Sequence, residues 1–440
     1  MAKPMGPLGK EPCCPALFIS AFASGQGKTT VTAALARLHR QRGRRVRVFK
    51  TGPDYLDPLI LERAAGNPVE PLDLWMTGEA RCREALHLAA GSADLILIEG
   101  AMGLFDGTPS SADLAIALGI PVVAVINARG MAQSVAAIAH GLAHFRPELK
   151  LAGVVANQLG SDRHRALIEQ ALPPETPLLA ALPRNEALAL PGRHLGLVPP
   201  DEQPDLERII AAAAGAMADS RLAELPTPIS FPAPEALPAA QRLLEGVRIA
   251  IARDQAFSFV YPANLRLLEA MGARLAFFSP LVDGALPKAD ALWLPGGYPE
   301  LHAERLAANT QMAAALRAFH AEDKPILAEC GGMLYLLDSL RDLDGRTHRM
   351  AGLLPGRGEM RDRSGCQGMQ SAPLPEGEIR GHAHHRSRSY DMPAPIAHGI
   401  RPSHPAPGEA IYRQGRLTAS YLHLYFASNP QAIGTLFAPS

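Results

Sequence analysis

Two stretches of this 440-residue chain combine residue types and spacings that can do chemistry. The first is Ser24-Gly25-Gln26-Gly27-Lys28-Thr29-Thr30, which follows an apolar run and precedes the helical pattern Val31 to His39. That is the setting of a phosphate loop, where small residues let backbone N–H groups wrap phosphates at a helix N-terminus. Gly25, Gly27 and Thr30 belong to the wrap, Lys28 can reach the outer phosphates of ATP, and Thr29 can hold Mg²⁺ by its hydroxyl. The loop is a variant, since Phe22 stands where the usual spacing has its first glycine. The second stretch is Glu329-Cys330-Gly331-Gly332, between the strand-like Pro325 to Ala328 and the helical Met333 to Leu337. A thiol on a tight strand-to-helix turn has the logic of a nucleophile elbow, and the helix dipole is expected there to favour thiolate.

A thiol nucleophile needs a base and a site for the oxyanion. His423, in Ser420-Tyr421-Leu422-His423-Leu424, is the candidate base, and Gly296-Gly297, after a third strand-like run, can aim N–H groups at a tetrahedral intermediate. The phosphate loop needs acids. Asp54 and Asp57 lie in the rigid loop Lys50-Thr51-Gly52-Pro53-Asp54-Tyr55-Leu56-Asp57-Pro58, where Lys50 can offset the charge of a phosphoryl group in transfer. Glu99 ends another apolar run, so Thr29, Asp54 and Glu99 are the expected Mg²⁺ ligands, while Asp106 can orient a carboxylate being phosphorylated. Asn127 and Asn157 end strands on the same edge and suit base recognition or strand-end capping. His382, His384 and His385 have no Cys or acid at metal-ligand spacing, which leaves contact with substrate or another domain, or a surface loop.

These residues need strands to present them. Leu17 to Ala21, Val46 to Lys50, Asp94 to Glu99, Pro121 to Asn127 and Leu151 to Asn157 alternate with Ala/Leu-rich helical stretches, the rhythm of a buried parallel sheet. Five prolines between Leu222 and Pro238 place a linker, after which the rhythm restarts with Val247 to Ala252, a helix over Asn264 to Met271, Arg274 to Ser279 and Ala291 to Leu294. The expected division is a phosphate-binding domain at 1–221, a Pro-rich linker at 222–246 and a domain carrying the thiol site at 247–440.

Composition narrows the partners. Lys plus Arg (43) equals Asp plus Glu (43), so charge points to neither nucleic acid nor membrane, and a small-molecule substrate is expected. The five cysteines are scattered and odd in number, which reads as a reducing, cytoplasmic compartment. No signal segment and no run near the roughly 20 apolar residues of a membrane helix is present.

With these motifs in hand, the chain resembles the cobyrinic acid a,c-diamide synthase family of corrin-ring biosynthesis. The resemblance rests on the phosphate loop, Lys50 through Pro58, Asp73-Leu74-Trp75-Met76, Glu99 through Gly107, His194 through Pro199, Gly296 through His302, Ala328 through Gly332 and Ser420 through Ser428, in the family's order. It implies a P-loop, dethiobiotin-synthetase-like α/β domain followed by a class I glutamine amidotransferase-like α/β domain. It also implies glutamine hydrolysis at Cys330 with His423 as base, and ATP- and Mg²⁺-dependent amidation of two corrinoid carboxylates through acyl phosphates, with a homodimer as the assembly to test. Departures stand at Ala21, at Gly381-His382-Ala383-His384-His385-Arg386-Ser387, at Gly365-Cys366-Gln367, and at Tyr425, where the general class I triad has an acid. Rival readings are hydrogenobyrinate or a nickel tetrapyrrole as substrate, a ParA-like ATPase with a non-catalytic C-terminal docking domain, and a free-standing amidase. The ATPase would need no glutamine and the amidase no ATP.

Overall fold

Short apolar runs that alternate with helices are buried on both faces, and the computed structural model shows where each face goes. It describes residues 11–185, 192–193, 196–197, 203–235, 240–363 and 365–439, in two compact units, 1–237 and 238–440.

The first unit opens with β1 (Cys13–Ser20), α1 (Lys28–Gln41), β2 (Val46–Thr51), α2 (Leu56–Ala65) and β3 (Glu70–Leu72). It continues through α3 (Glu79–Ala90), β4 (Leu95–Glu99), α4 (Ser111–Leu118), β5 (Val122–Asn127) and α5 (Ser134–His144). Then come β6 (Leu151–Leu159), α6 (Asp162–Ala171), β7 (Leu178–Pro183), the two-residue strands β8 (Gly192–Arg193) and β9 (Gly196–Leu197), α7 (Leu206–Ala216) and β10 (Pro228–Ser230). The sheet order is β3-β2-β4-β1-β5-β6-β7, with every pairing along it parallel. Alternate residues serve opposite faces. Ile19, Val48 and Leu97 pack with α1, α2 and α7, whereas Phe18, Phe49, Ile96 and Ile98 pack with α3 and α4. Because the order reverses at β1, the loops after β1, β2 and β4 open into one crevice, the place where open α/β sheets bind ligands. Within the Pro-rich stretch, Pro228–Ser230 forms the short β10, antiparallel to the start of β1. Of the resembling runs, His194 through Pro199 lies mostly outside the described residues.

The second unit begins β11 (Arg248–Ala252), α8 (Pro262–Ala270), β12 (Arg274–Phe278), β13 (Ala291–Leu294), α9 (Ala303–Ala308) and α10 (Thr310–Ala321). Next are β14 (Ile326–Glu329), α11 (Gly331–Leu336), β15 (Ser339–Arg341), β16 (Thr347–Arg349), β17 (Arg357–Met360), β18 (Gly368–Leu374) and β19 (Gly377–Ala383). It ends β20 (Ser387–Tyr390), β21 (Ala397–His398), β22 (Ala410–Gln414), β23 (Leu417–Ser420), β24 (His423–Leu424) and α12 (Pro430–Phe437). Its main sheet is β12-β11-β13-β14-β23-β22-β21, parallel as far as β23 and antiparallel beyond it. A three-stranded sheet, β18-β19-β24, carries the His423 strand. Both units have the expected α/β class, and no helix among the described residues is long and apolar enough to cross a membrane.

Candidate functional site

In the first unit the chain leaves β1 and turns into α1 through two left-handed glycines, Gly25 (φ 76°) and Gly27 (φ 95°). A side chain at Gly27 would also overlap Asn157 Nδ2, so the turn requires glycine twice over. The loop is anchored from neighbouring strands: Asn157 Nδ2 donates to Gln26 O (3.0 Å), and the Asn127 N–H donates to Gln26 Oε1 (2.9 Å). Lys28 Nζ donates to Met102 O (2.5 Å) and Ala23 O (3.3 Å), which joins the phosphate loop to the loop after β4.

The strand register brings Lys50 of β2 beside Glu99 of β4. Lys50 Nζ lies 2.7 Å from Glu99 Oε1, 3.0 Å from Asp57 Oδ2 and 3.6 Å from Asp54 Oδ2, while Thr29 Oγ1 donates to Glu99 Oε1 at 3.0 Å. Five of the expected residues thus converge. Burial opposes every charge here, but three carboxylates around one ammonium hold the Lys50 pKa well above its ordinary value. Burial and then the Asp57 charge push Asp54 up to about 7. Asp57 is also pushed up by burial, yet Lys50 and its hydrogen bonds leave it below its usual value. Glu99, fully buried, is raised. Lys28 is lowered, by burial first and by Lys50 second.

Among the described residues no group of three or more His, Cys, Asp or Glu is arranged as a metal cluster. Mg²⁺ on a nucleotide needs less, one or two protein oxygens completed by phosphate and water. Thr29 Oγ1 and Glu99 meet that need, since Glu99 Oε2 is buried with no hydrogen-bond partner. Asp54 spends Oδ1 on the N–H groups of Leu56 (3.0 Å) and Asp57 (3.3 Å), which leaves Oδ2 toward Lys50. Asp106 stands apart from this cluster: it is exposed and accepts the Gly103 N–H at 3.0 Å. Thr30 lies in the first turn of α1.

In the second unit Cys330 occupies φ 46°, ψ −105°, the strained turn of an elbow between β14 and α11. The two glycines after it are required by close approach. A Cβ on Gly332 would overlap Leu294 O, and one on Gly331 would lie 3.0 Å from Gly297 N, so the Gly296-Gly297 turn abuts the elbow. A Cβ on Gly296 would overlap the His423 ring, which places the candidate base against the same turn. The Cys330 N–H donates to Ser420 O at 2.7 Å, tying the elbow to β23.

The expectation of a standing thiolate is corrected by the environment. Burial, and then the Glu300, Glu409 and Glu329 charges, push the Cys330 thiol far up, and the six-residue α11 does not offset this. Burial, followed by His385 and His384, pushes His423 down to about 3. The resting pair is therefore a neutral thiol and a neutral imidazole.

The histidine run is not a surface loop, since His382 and His385 are buried. His382 is buried and stacks on His423, with ring centroids 5.0 Å apart at 14°. His385 Nε2 lies 2.8 Å from Glu409 Oε1, and its ring stacks on Tyr421 at 3.8 Å. Sequence reasoning also missed Glu329. Its carboxylate, 2% exposed, accepts the Leu424 N–H (Oε1, 2.8 Å) and the Trp293 Nε1–H (Oε2, 2.9 Å). The available signal was an acid ending an apolar strand, the same signal that marks Glu99.

A phosphate-loop unit and a thiol-elbow unit in one chain define a glutamine-dependent ligase. Consistent with this, the CobQ/CobB/MinD/ParA nucleotide binding domain matches residues 17–198, and the CobB/CobQ-like glutamine amidotransferase domain matches 248–431. The chain is 57% identical to the hydrogenobyrinate a,c-diamide synthase of Pseudomonas aeruginosa, over 97% of this chain and 98% of that protein. It is 56% identical to the protein of that name from Stutzerimonas stutzeri (97% and 99% covered), and 49% identical to the cobyrinate a,c-diamide synthase of Herminiimonas arsenicoxydans (96% and 96%). The chain belongs to the cobyrinate/hydrogenobyrinate a,c-diamide synthase family.

Proposed function

We propose that this enzyme converts the a and c side-chain carboxylates of cobyrinate to amides, with ammonia from glutamine and energy from ATP, in cobalamin biosynthesis. The observation that carries the reading is the coexistence of the Thr29–Lys50–Glu99 crevice and the Cys330–His423 elbow in one chain of the family. Hydrogenobyrinate is the second reading, favoured by the names of the relatives at 57% and 56% identity.

In the glutaminase unit, Cys330 Sγ attacks the carboxamide carbon of glutamine as His423 takes the thiol proton. Backbone N–H groups at Gly296-Gly297 receive the oxyanion, and His423 returns the proton to the departing ammonia. Water then releases glutamate from the thioester. In the synthetase unit, Gly25, Gly27, Lys28, Thr29 and Thr30 hold the ATP phosphates. Thr29, Glu99 and Asp54 would hold Mg²⁺, whose role is to offset phosphate charge. Lys50 stabilises the γ-phosphoryl group as a corrinoid carboxylate attacks it and ADP departs, leaving an acyl phosphate, while Asp57 holds Lys50 in place and Asp106 orients the incoming carboxylate. Ammonia displaces phosphate from the acyl phosphate, and the amide is formed.

The test incubates the protein with ATP, Mg²⁺ and glutamine, with cobyrinic and hydrogenobyrinic acids in parallel, and follows product mass. Two amides gained on one acid establish the reaction and its substrate; no amide on either acid overturns the reading. Cys330→Ala is expected to lose the glutamine-dependent reaction and keep the reaction driven by ammonium.

A further inference from the structure

We propose that Glu329 is a positioning residue of the glutaminase site, holding the His423 strand in register with the Cys330 elbow. The inference rests on the reading of Cys330 and His423 as the glutamine-hydrolysing pair.

Glu329 is the last residue of β14 and adjoins Cys330 directly. Its two carboxylate oxygens reach two different strands. Oε1 accepts the N–H of Leu424, next to His423 on β24, and Oε2 accepts the Nε1–H of Trp293 on β13, just before the Gly296-Gly297 turn. One side chain thus ties together the strands that carry the nucleophile, the base and the candidate oxyanion turn. β24 is two residues long and its ladder partner is β19 of the small sheet, so side chains hold it to the main sheet: Glu329 takes the Leu424 N–H, and Asn264 Nδ2 on α8 donates to Leu424 O at 2.8 Å. A buried carboxylate is a costly choice for packing, where an apolar side chain would serve better. Both Glu329 oxygens are occupied by N–H donors, so the side chain acts through its neighbours and touches no reacting atom.

A glutamine side chain can offer its single carbonyl oxygen to only one of these donors, and its NH₂ then faces the other. This gives a test in the whole chain that plain loss of folding would not imitate. Glutamate release from glutamine is measured for wild type, Glu329→Ala, Glu329→Gln and the double variant Glu329→Gln/Trp293→Phe, alongside amide synthesis from ammonium with ATP. Glu329→Ala is expected to lower kcat for glutamine by about tenfold to hundredfold, the worth of the two buried hydrogen bonds it removes, with KM within about twofold. Ammonium-dependent synthesis stays within about twofold of wild type. Trp293→Phe removes the opposed N–H and so raises the kcat of the Glu329→Gln enzyme. The proposal is overturned if Glu329→Ala hydrolyses glutamine at the wild-type rate, if both activities fall together, or if Trp293→Phe deepens the Glu329→Gln defect. Wild-type protein that releases no glutamate would instead defeat the glutaminase reading itself.

Discussion

Gly296 and His423 share one space: a Cβ built on Gly296 falls 3.0 Å from His423 Nδ1 and overlaps Cε1. The glycine that supplies the candidate oxyanion turn therefore also fixes how close the imidazole can come. Gly296→Ala is expected to displace the ring and to reduce glutamine hydrolysis by about tenfold or more, with an overpacking cost of about 1–3 kcal/mol. At Gly297 the obstacle is the backbone carbonyl of Ala256, which cannot move aside as a side chain can. Gly297→Ala should therefore lose more stability than Gly296→Ala, as read by denaturant midpoints. The reverse order would contradict this account.

Lys50 balances three acids, and its removal isolates them. Lys50→Met leaves Glu99, Asp57 and Asp54 without their shared cation, and about 3–5 kcal/mol of stability should be lost at pH 7. The sign of the pH dependence follows from linkage. Without Lys50 the buried carboxyls have folded-state pKa values above their unfolded ones, so the folded state binds more protons and gains stability as pH falls toward about 4. The deficit relative to wild type should shrink between pH 7 and pH 5 in urea titrations. A deficit constant across that range would show that the acids are not coupled to Lys50.

Much of this was readable in the sequence because it is local. The phosphate loop and the Cys330 elbow are each strand, turn and helix in succession, and Glu99 announces itself as an acid ending an apolar strand. The pairing of Lys50 with Glu99 follows once both are placed at the ends of adjacent parallel strands. What was hidden depends on distant segments meeting. The stacking of His382 on His423 requires the antiparallel β19–β24 pairing, and the double acceptor role of Glu329 requires β13, β14 and β24 together. The thiolate expectation failed for a similar reason: an elbow motif states that a helix follows, but not that it is six residues long or that three glutamates bear on the thiol.

A neutral thiol beside a neutral imidazole has a kinetic signature. A preformed thiolate–imidazolium pair would give a plateau of alkylation rate across neutral pH. Here burial raises the Cys330 pKa and lowers that of His423 to about 3, so the thiolate fraction of the free enzyme grows with pH throughout the neutral range. Iodoacetamide inactivation of glutaminase activity should rise about tenfold per pH unit from about pH 6 to pH 9, with no plateau. A plateau below pH 7 would restore the ion-pair picture.

Asn157 was a candidate for recognising the nucleotide base, yet its Nδ2 donates to Gln26 O at 3.0 Å and lies against Gly27. Its side chain therefore holds the backbone that wraps the phosphates. A neutral hydrogen bond of this kind is worth about 1 kcal/mol, which is about fivefold in affinity. Asn157→Ala is expected to raise the KM for ATP by about that factor while kcat with ammonium stays within about twofold. Because phosphates are common to all nucleotides, the loss should be equal for ATP and GTP, leaving the preference between them unchanged. A change in that preference would return Asn157 to the base-recognition role, and a fall in kcat at constant KM would place it at the transferring phosphoryl group.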